Sequence, residues 1–101
     1  MRTTPFRQAE AEALAAMTPG ERARFDAAEA EEEARLQLAE LVYGARTRAG
    51  LTQTELARRM GTQQSVISAV ENGGQVPSVS TLWRIAHALN LRLTIDMAAA
   101  S

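Results

Sequence analysis

Residues 52–72 read TQTELARRMGTQQSVISAVEN, two short amphipathic runs with a glycine between them. Thr52 and Glu55 stand three apart. At that spacing a threonine side chain caps a helix while the glutamate reaches back to the cap's own amide, so a helix is expected from Gln53 to about Met60. Gly61 and Thr62 make the turn that follows. A further helix is expected from Gln63 to about Asn72, with Thr62 as its cap. Leu56, Ala57 and Met60 give the earlier run its inward face, and Ile67 and Val70 give the later one its own. Ala57 is small where the two helices must approach closely. The start of the later helix is then left to polar side chains: Gln63, Gln64, Ser65 and Ser68. Two helices of this length joined by a glycine-bearing turn are the helix-turn-helix pattern.

Working outward, Leu36, Leu38, Leu41, Val42 and Ala45 lie at helical spacing, and Gly50 is placed to end that helix in a left-handed cap. On the other side Asn72-Gly73-Gly74 breaks the chain, Pro77-Ser78 opens a helix reaching Leu89, and Asn90 is a candidate left-handed cap. Leu91 to Met97 alternates apolar and polar residues strictly, the period of a half-buried strand. A single strand leaves its backbone groups unpaired. It is expected either to pair with its own copy in a dimer ribbon or to cover the base of the bundle. The dimer is favoured, because a two-fold dimer reads two half-sites about 34–36 Å apart. Ala98 to Ser101 is expected to be a disordered tail.

The beginning of the chain has a different character. Phe6, Ala9, Ala13, Leu14 and Met17 form a narrow apolar stripe on an expected helix from Thr4 to Met17. Thr18-Pro19-Gly20-Glu21 is a second capping box with proline at the first helical position. From Glu21 to Ala49 only Gly44 is mildly unfavourable to a helix. Asp26 to Ala34 is almost entirely alanine and glutamate, with little to bury, and is expected to project or fray. The domain reading is therefore an acidic helical arm over 1–35, a helix-turn-helix domain over 36–90, and a strand over 91–97. The fold class is all-α, a four- to five-helix bundle with that arm and strand attached.

Composition agrees and excludes several function classes. All 11 basic residues are arginine, and aromatic residues make up only 4% of the 101, which favours packed helices over an all-β fold. The formal net charge of −1 conceals a division: residues 1–40 carry −4 and residues 41–101 carry +3. The basic surplus coincides with the helix-turn-helix. With no cysteine there is no thiol nucleophile, thiolate metal site or disulfide framework. The single histidine, His87, has no companion ligands, so a helix-surface role is expected. Glu29, Glu31, Glu32 and Glu33 read as a solvated face rather than a metal site. Glu55, Glu71 and Asp96 are scattered, no glycine loop cradles a phosphate, and no catalytic constellation is expected. No apolar run approaches a membrane span and no secretory signal opens the chain, which predicts a soluble cytoplasmic protein without cofactor.

The run Ala49-Gly-Leu-Thr-Gln-Thr-Glu-Leu-Ala57, then Gly61-Thr-Gln-Gln-Ser-Val-Ile-Ser68, Glu71-Asn-Gly73, Pro77-Ser78, Thr81-Leu82 and Ile85-Ala86-x-Ala88-Leu89 resembles the Xre/Cro family of helix-turn-helix regulators over about residues 36–90. The resemblance implies that the helix beginning near Gln63 enters the major groove of double-stranded DNA. Gln64 would contact a base, since a glutamine amide pairs bidentately with adenine. Thr62, Gln63, Ser65 and Ser68 would reach neighbouring base edges or phosphates. Gln53 would hold a phosphate, and Asn72 matches a backbone-contacting position. Ala69 stands where some members carry a longer polar reader. Arg46 and Glu71 match an ion pair joining the first and third helices of the bundle. Arg58 and Arg59 are left between solvated arginine and phosphate contact, and Trp83 between core and interface. The layout of acidic arm, helix-turn-helix and strand resembles the HigA-type antitoxins of HigBA modules. That resemblance implies a homodimeric repressor whose arm neutralises a basic ribonuclease, a HigB-type toxin, through Phe6, Leu14, Met17 and Phe25. A phage-type or metabolic repressor without a protein ligand is the alternative.

Overall fold

The computed structural model describes residues 5–100, with side chains from residue 7 onward. Five helices make up the regular structure of those residues: α1 (Pro5–Ala15), α2 (Pro19–Arg48), α3 (Gln53–Met60), α4 (Gln64–Glu71) and α5 (Val79–Ala88). The chain separates into two compact units, Met1–Glu33 and Ala34–Ser101.

In the first unit α1 ends at a turn, where the Met17 amide donates to the Leu14 carbonyl at 3.2 Å. The capping box then starts α2: the Glu21 amide donates to Thr18 Oγ1 at 3.2 Å, and the Thr18 amide donates to a Glu21 carboxylate oxygen at 3.1 Å. Leu14, Met17 and Phe25 are half-buried, whereas the alanines and glutamates between Asp26 and Glu33 are exposed. The segment lies within α2. Its helix is unbroken, which its alanine-rich propensity sustains without much apolar burial. Phe6 lies within α1, but its side chain is outside the described residues.

In the second unit one core gathers Val42 from the end of α2, Leu51, Leu56 and Ala57 of α3, Ile67 and Val70 of α4, Ile85 of α5, and Leu89. Leu56 and Ile67 are wholly removed from solvent. Met60, Leu82 and Ala88 pack on its edge. Two arginines stitch α3 to α5 at the rim: Arg84 donates to the Met60 carbonyl at 2.9 Å and Arg59 to the Ala88 carbonyl at 3.3 Å. Asn90 takes the left-handed conformation at φ 59°, and the Leu91 amide returns to the Ala86 carbonyl at 2.8 Å.

Two expectations are corrected here. Residues 91–97 form no strand; no strand occurs among the described residues. Alternation marks what a segment could bury, but a strand also needs a neighbour for its hydrogen bonds, and the described residues offer only helices as regular elements. Leu93 is half-buried, while Ile95 and Met97 stand 62% and 95% exposed. The second correction concerns α4, which is capped by Gln63 rather than Thr62 and receives no side-chain cap bond. Thr62 is already committed to the end of α3, its amide donating to the Ala57 carbonyl at 2.9 Å.

Candidate nucleic-acid interface

The capping box of α3 fixes the first of the polar groups in place. The Glu55 amide donates to Thr52 Oγ1 at 3.1 Å and the Thr52 amide donates to Glu55 Oε1 at 3.3 Å. Hydrogen bonding to the carboxylate by Thr52, through its side chain first and its backbone amide second, holds the Glu55 carboxyl below its ordinary value. Gln53 is thereby set as the first residue of α3, next to amides that have no partner inside the helix. The turn to α4 is closed by Gly61, left-handed at φ 68°, whose amide reaches the carbonyls of Ala57 and Arg58. Burial of Leu56, Ala57 and Ile67 then holds α4 against α3. Gln64, the first residue of α4, is brought beside Gln53.

Side chains of both helix starts meet in a continuous hydrogen-bonded chain. Gln64 Nε2 donates to Gln53 Oε1 at 2.6 Å, and Gln53 Nε2 donates to Glu71 Oε1 at 3.2 Å. Glu71 in turn accepts from Arg46, Nε to Oε2 at 2.7 Å and the far guanidinium nitrogen to Oε1 at 2.8 Å. The third Arg46 donor takes the Leu51 carbonyl at 2.7 Å. The pair is deeply covered, with side-chain exposure of 10% for Arg46 and 4% for Glu71. The bonds to Glu71 raise the Arg46 guanidinium further above its ordinary value, against the desolvation that opposes them. Arg46 and Glu71 thus tie α2 to α4 from inside the core, while Gln64 stands at the surface.

Around Gln64 stand the other polar residues of the turn and the start of α4. Gln63 and Ser65 are exposed, and Thr62 and Ser68 are half-buried. Asn72 caps α4 and accepts from the Gly74 amide through Oδ1 at 2.8 Å. A side chain at Gly74 would collide with that oxygen, since an added Cβ comes within 2.8 Å of it. Arg58 is exposed, and Arg59, also exposed, makes its bond to α5. Leu14, Met17 and Phe25 belong to the first unit. Trp83 lies outside the core, 59% exposed and stacked on His87 with ring centroids 5.3 Å apart.

Sequence reasoning missed the link between Gln53 and Glu71. A signal for part of it was available: Gln64 and Glu71 are seven residues apart, two turns along one face of α4. Among the described residues no group of histidine, cysteine, aspartate and glutamate could hold a metal ion. No helix there is long and apolar enough to cross a membrane.

The helix-turn-helix family matches residues 43–95, which include every element of this patch. The chain is 39% identical over 59 residues to the ImmF control region 10 kDa protein of Bacillus phage phi105, covering 58% of this chain and 66% of that one. It is 41% identical over 64 residues to antitoxin HigA1 of Mycobacterium tuberculosis, covering 63% of this chain and 42% of that one. It is 36% identical over 59 residues to antitoxin HipB of Escherichia coli K12, covering 58% of this chain and 67% of that one. The chain therefore aligns with less than half of HigA1 and about two thirds of the other two. No solved structure matches it. A tight turn between two short helices, a polar patch on the second and a family match over more than half the chain lead to one statement: this chain belongs to the helix-turn-helix family, of the Xre type.

Proposed function

We propose that the chain is a transcriptional repressor that binds an operator in double-stranded DNA as a homodimer, with α4 in the major groove. The observation that carries this reading is Gln64: exposed at the start of α4, its amide already held by Gln53, it is preorganised to meet a base edge. Gln63, Ser65 and Ser68 flank it as contacts to neighbouring bases or phosphates. Gln53, Thr62 and Asn72 reach the backbone on either side. The basic surplus of residues 41–101 supplies the salt-dependent part of the affinity.

The test is a titration onto a duplex from upstream of the protein's own gene, against a scrambled duplex, at several salt concentrations. We expect preference for the upstream duplex and a steep loss of affinity with salt. Gln64→Ala is expected to lose about 1–3 kcal/mol at that duplex and little at the scrambled one. Equal binding to both duplexes by the unmodified protein would remove self-repression from the proposal.

The dimer rests on α5 and the segment after it rather than on a strand. Val79, Trp83, Leu91 and Ile95 are each more than half exposed, and Leu41, Leu82, Ala86, Leu91 and Leu93 line one apolar groove. These exposed apolar residues are the surface proposed for a second copy. A second copy is the occupant that gives two recognition helices, one for each half-site.

The chain is further proposed to be an antitoxin that neutralises a basic, HigB-type ribonuclease toxin through residues 1–35. The −4 charge of residues 1–40 suits a cationic partner. The stripe of Phe6, Leu14, Met17 and Phe25 would supply apolar anchors. Similarity to proteins named as antitoxins supports it. Similarity to a phage control-region protein favours a second reading, a repressor with no toxin. Deletion of residues 1–30 separates the two. If it leaves operator binding intact and abolishes rescue of cells that express the toxin gene adjoining this one, the antitoxin reading holds. Full rescue by the truncated chain would leave the repressor alone.

A further inference from the structure

The chain of bonds behind Gln64 has a direction, and the direction begins at a charge. A carboxylate can only accept hydrogen bonds, and both oxygens of Glu71 accept from the Arg46 guanidinium. Its Oε1 faces the side chain of Gln53, so Gln53 must turn its NH₂ inward toward Glu71 and its carbonyl oxygen outward. The next amide has no choice either. Gln64 meets that oxygen at 2.6 Å and must present its own NH₂ to it. The amide left facing outward then offers Oε1 and the second N–H, one acceptor and one donor. Amide orientations follow from the network around them, and here the network is anchored at a group with a single possible polarity.

We infer that Glu71, two residues removed from the DNA along this relay, is a positioning residue that sets which base Gln64 reads. One acceptor beside one donor matches adenine, which shows N6–H₂ and N7 in the major groove. The reversed amide would turn donors outward and suit guanine, whose O6 and N7 both accept. Neither orientation changes the shape of the glutamine, so the choice between the two purines is held by the polarity of the relay. The ion pair of Arg46 and Glu71 therefore has a second office beyond joining α2 to α4. This inference rests on the proposal that α4 reads DNA.

Glu71→Gln tests it. The substituted amide keeps the shape and can still bond to Arg46 and Gln53, but it can face Gln53 with either its oxygen or its NH₂. Affinity is measured on an operator duplex panel carrying each of the four bases at each half-site position. The position read by Gln64 is the one at which Gln64→Ala loses discrimination. There the unmodified protein is expected to favour adenine over guanine by roughly tenfold or more. Glu71→Gln is expected to bring that ratio to within about threefold of unity while discrimination at other positions persists. A purely structural role for Glu71 would weaken binding at all positions together and leave the ratio alone. The side-chain amide resonances of Gln53 and Gln64, recorded without DNA, should shift and exchange with water faster in the variant.

If Glu71→Gln does not fold, Gln53→Met interrupts the relay while leaving the ion pair intact, and the same collapse of the ratio is expected over a general loss of affinity. An unchanged adenine-to-guanine ratio in the folded Glu71→Gln protein or in Gln53→Met overturns the inference and leaves DNA reading in place. An unmodified protein that discriminates at no position overturns both, a result visible before any variant is made.

Discussion

The guanidinium of Arg46 is bonded twice to Glu71 and once to the Leu51 carbonyl, so a charge that is costly to bury has a partner at each of its three nitrogens. Removing one partner is then worse than removing both. Arg46→Met leaves Glu71 covered and without its counter-charge, and a loss of about 3–5 kcal/mol in urea unfolding is expected. The double change Arg46→Met, Glu71→Leu should cost markedly less than that. Glu55 gives a prediction of the opposite kind, read with pH. Its carboxyl is held below its ordinary value of 4.5 by Thr52, so the ionised form favours the fold. That contribution is complete above about pH 5 and is lost as pH falls through the depressed folded value. The stability difference between the unmodified protein and Glu55→Gln, followed by thermal unfolding, should be constant near neutrality and shrink in acid. The resemblance pointed to Arg46 and Glu71 across 25 residues, whereas spacing alone found the Thr52–Glu55 pair.

Among the elements, Gly61 controls the angle at which α3 hands over to α4. It sits at φ 68°, and an added Cβ would meet nothing within 4 Å, so the penalty of Gly61→Ala is a backbone penalty alone, about 1–2 kcal/mol. Gly61→Asn, with a residue more tolerant of that conformation, should recover part of it in the same unfolding assay. The helix starts were legible because their chemistry is local: Thr18, Thr52 and Ser78 each accept the amide three residues on. The start of α4 shifted by one residue because Thr62 still belongs to the end of α3, its amide bonded to the Ala57 carbonyl, so Gln63 takes the cap position. The 91–97 segment was misread because periodicity is a property of the segment, whereas a strand is a property of a pair. Both links of the polar relay, Gln64 to Gln53 and Gln53 to Glu71, run between α3 and α4 and depend on how the two helices are set against each other. The core positions Leu56, Ile67 and Val70 could be read from each helix separately, but that relation could not.

At the scale of the whole chain, charge is divided along the sequence. The acidic surplus lies in residues 1–40 and the basic surplus in 41–101, while the exposed apolar residues include Val79 and Trp83 on α5 and Leu91 and Ile95 after it. If α5 joins two copies, Trp83→Glu should place a charge in the middle of the joint. Sedimentation should then show the variant as a monomer at concentrations where the unmodified chain is a dimer. Operator affinity should fall with it, because each half-site would be held separately. A dimer that survives the change would assign the joint elsewhere. Trp83 brings one more consequence, an optical one. It is the only tryptophan in the sequence, it is open to water, and it rests against the imidazole of His87. Nearly all ultraviolet emission excited at its absorption edge comes from this ring, whose colour shifts to the blue when water leaves it. The protein therefore carries an intrinsic fluorophore on the face in question, and dilution of the unlabelled chain would report its self-association as a drift in wavelength.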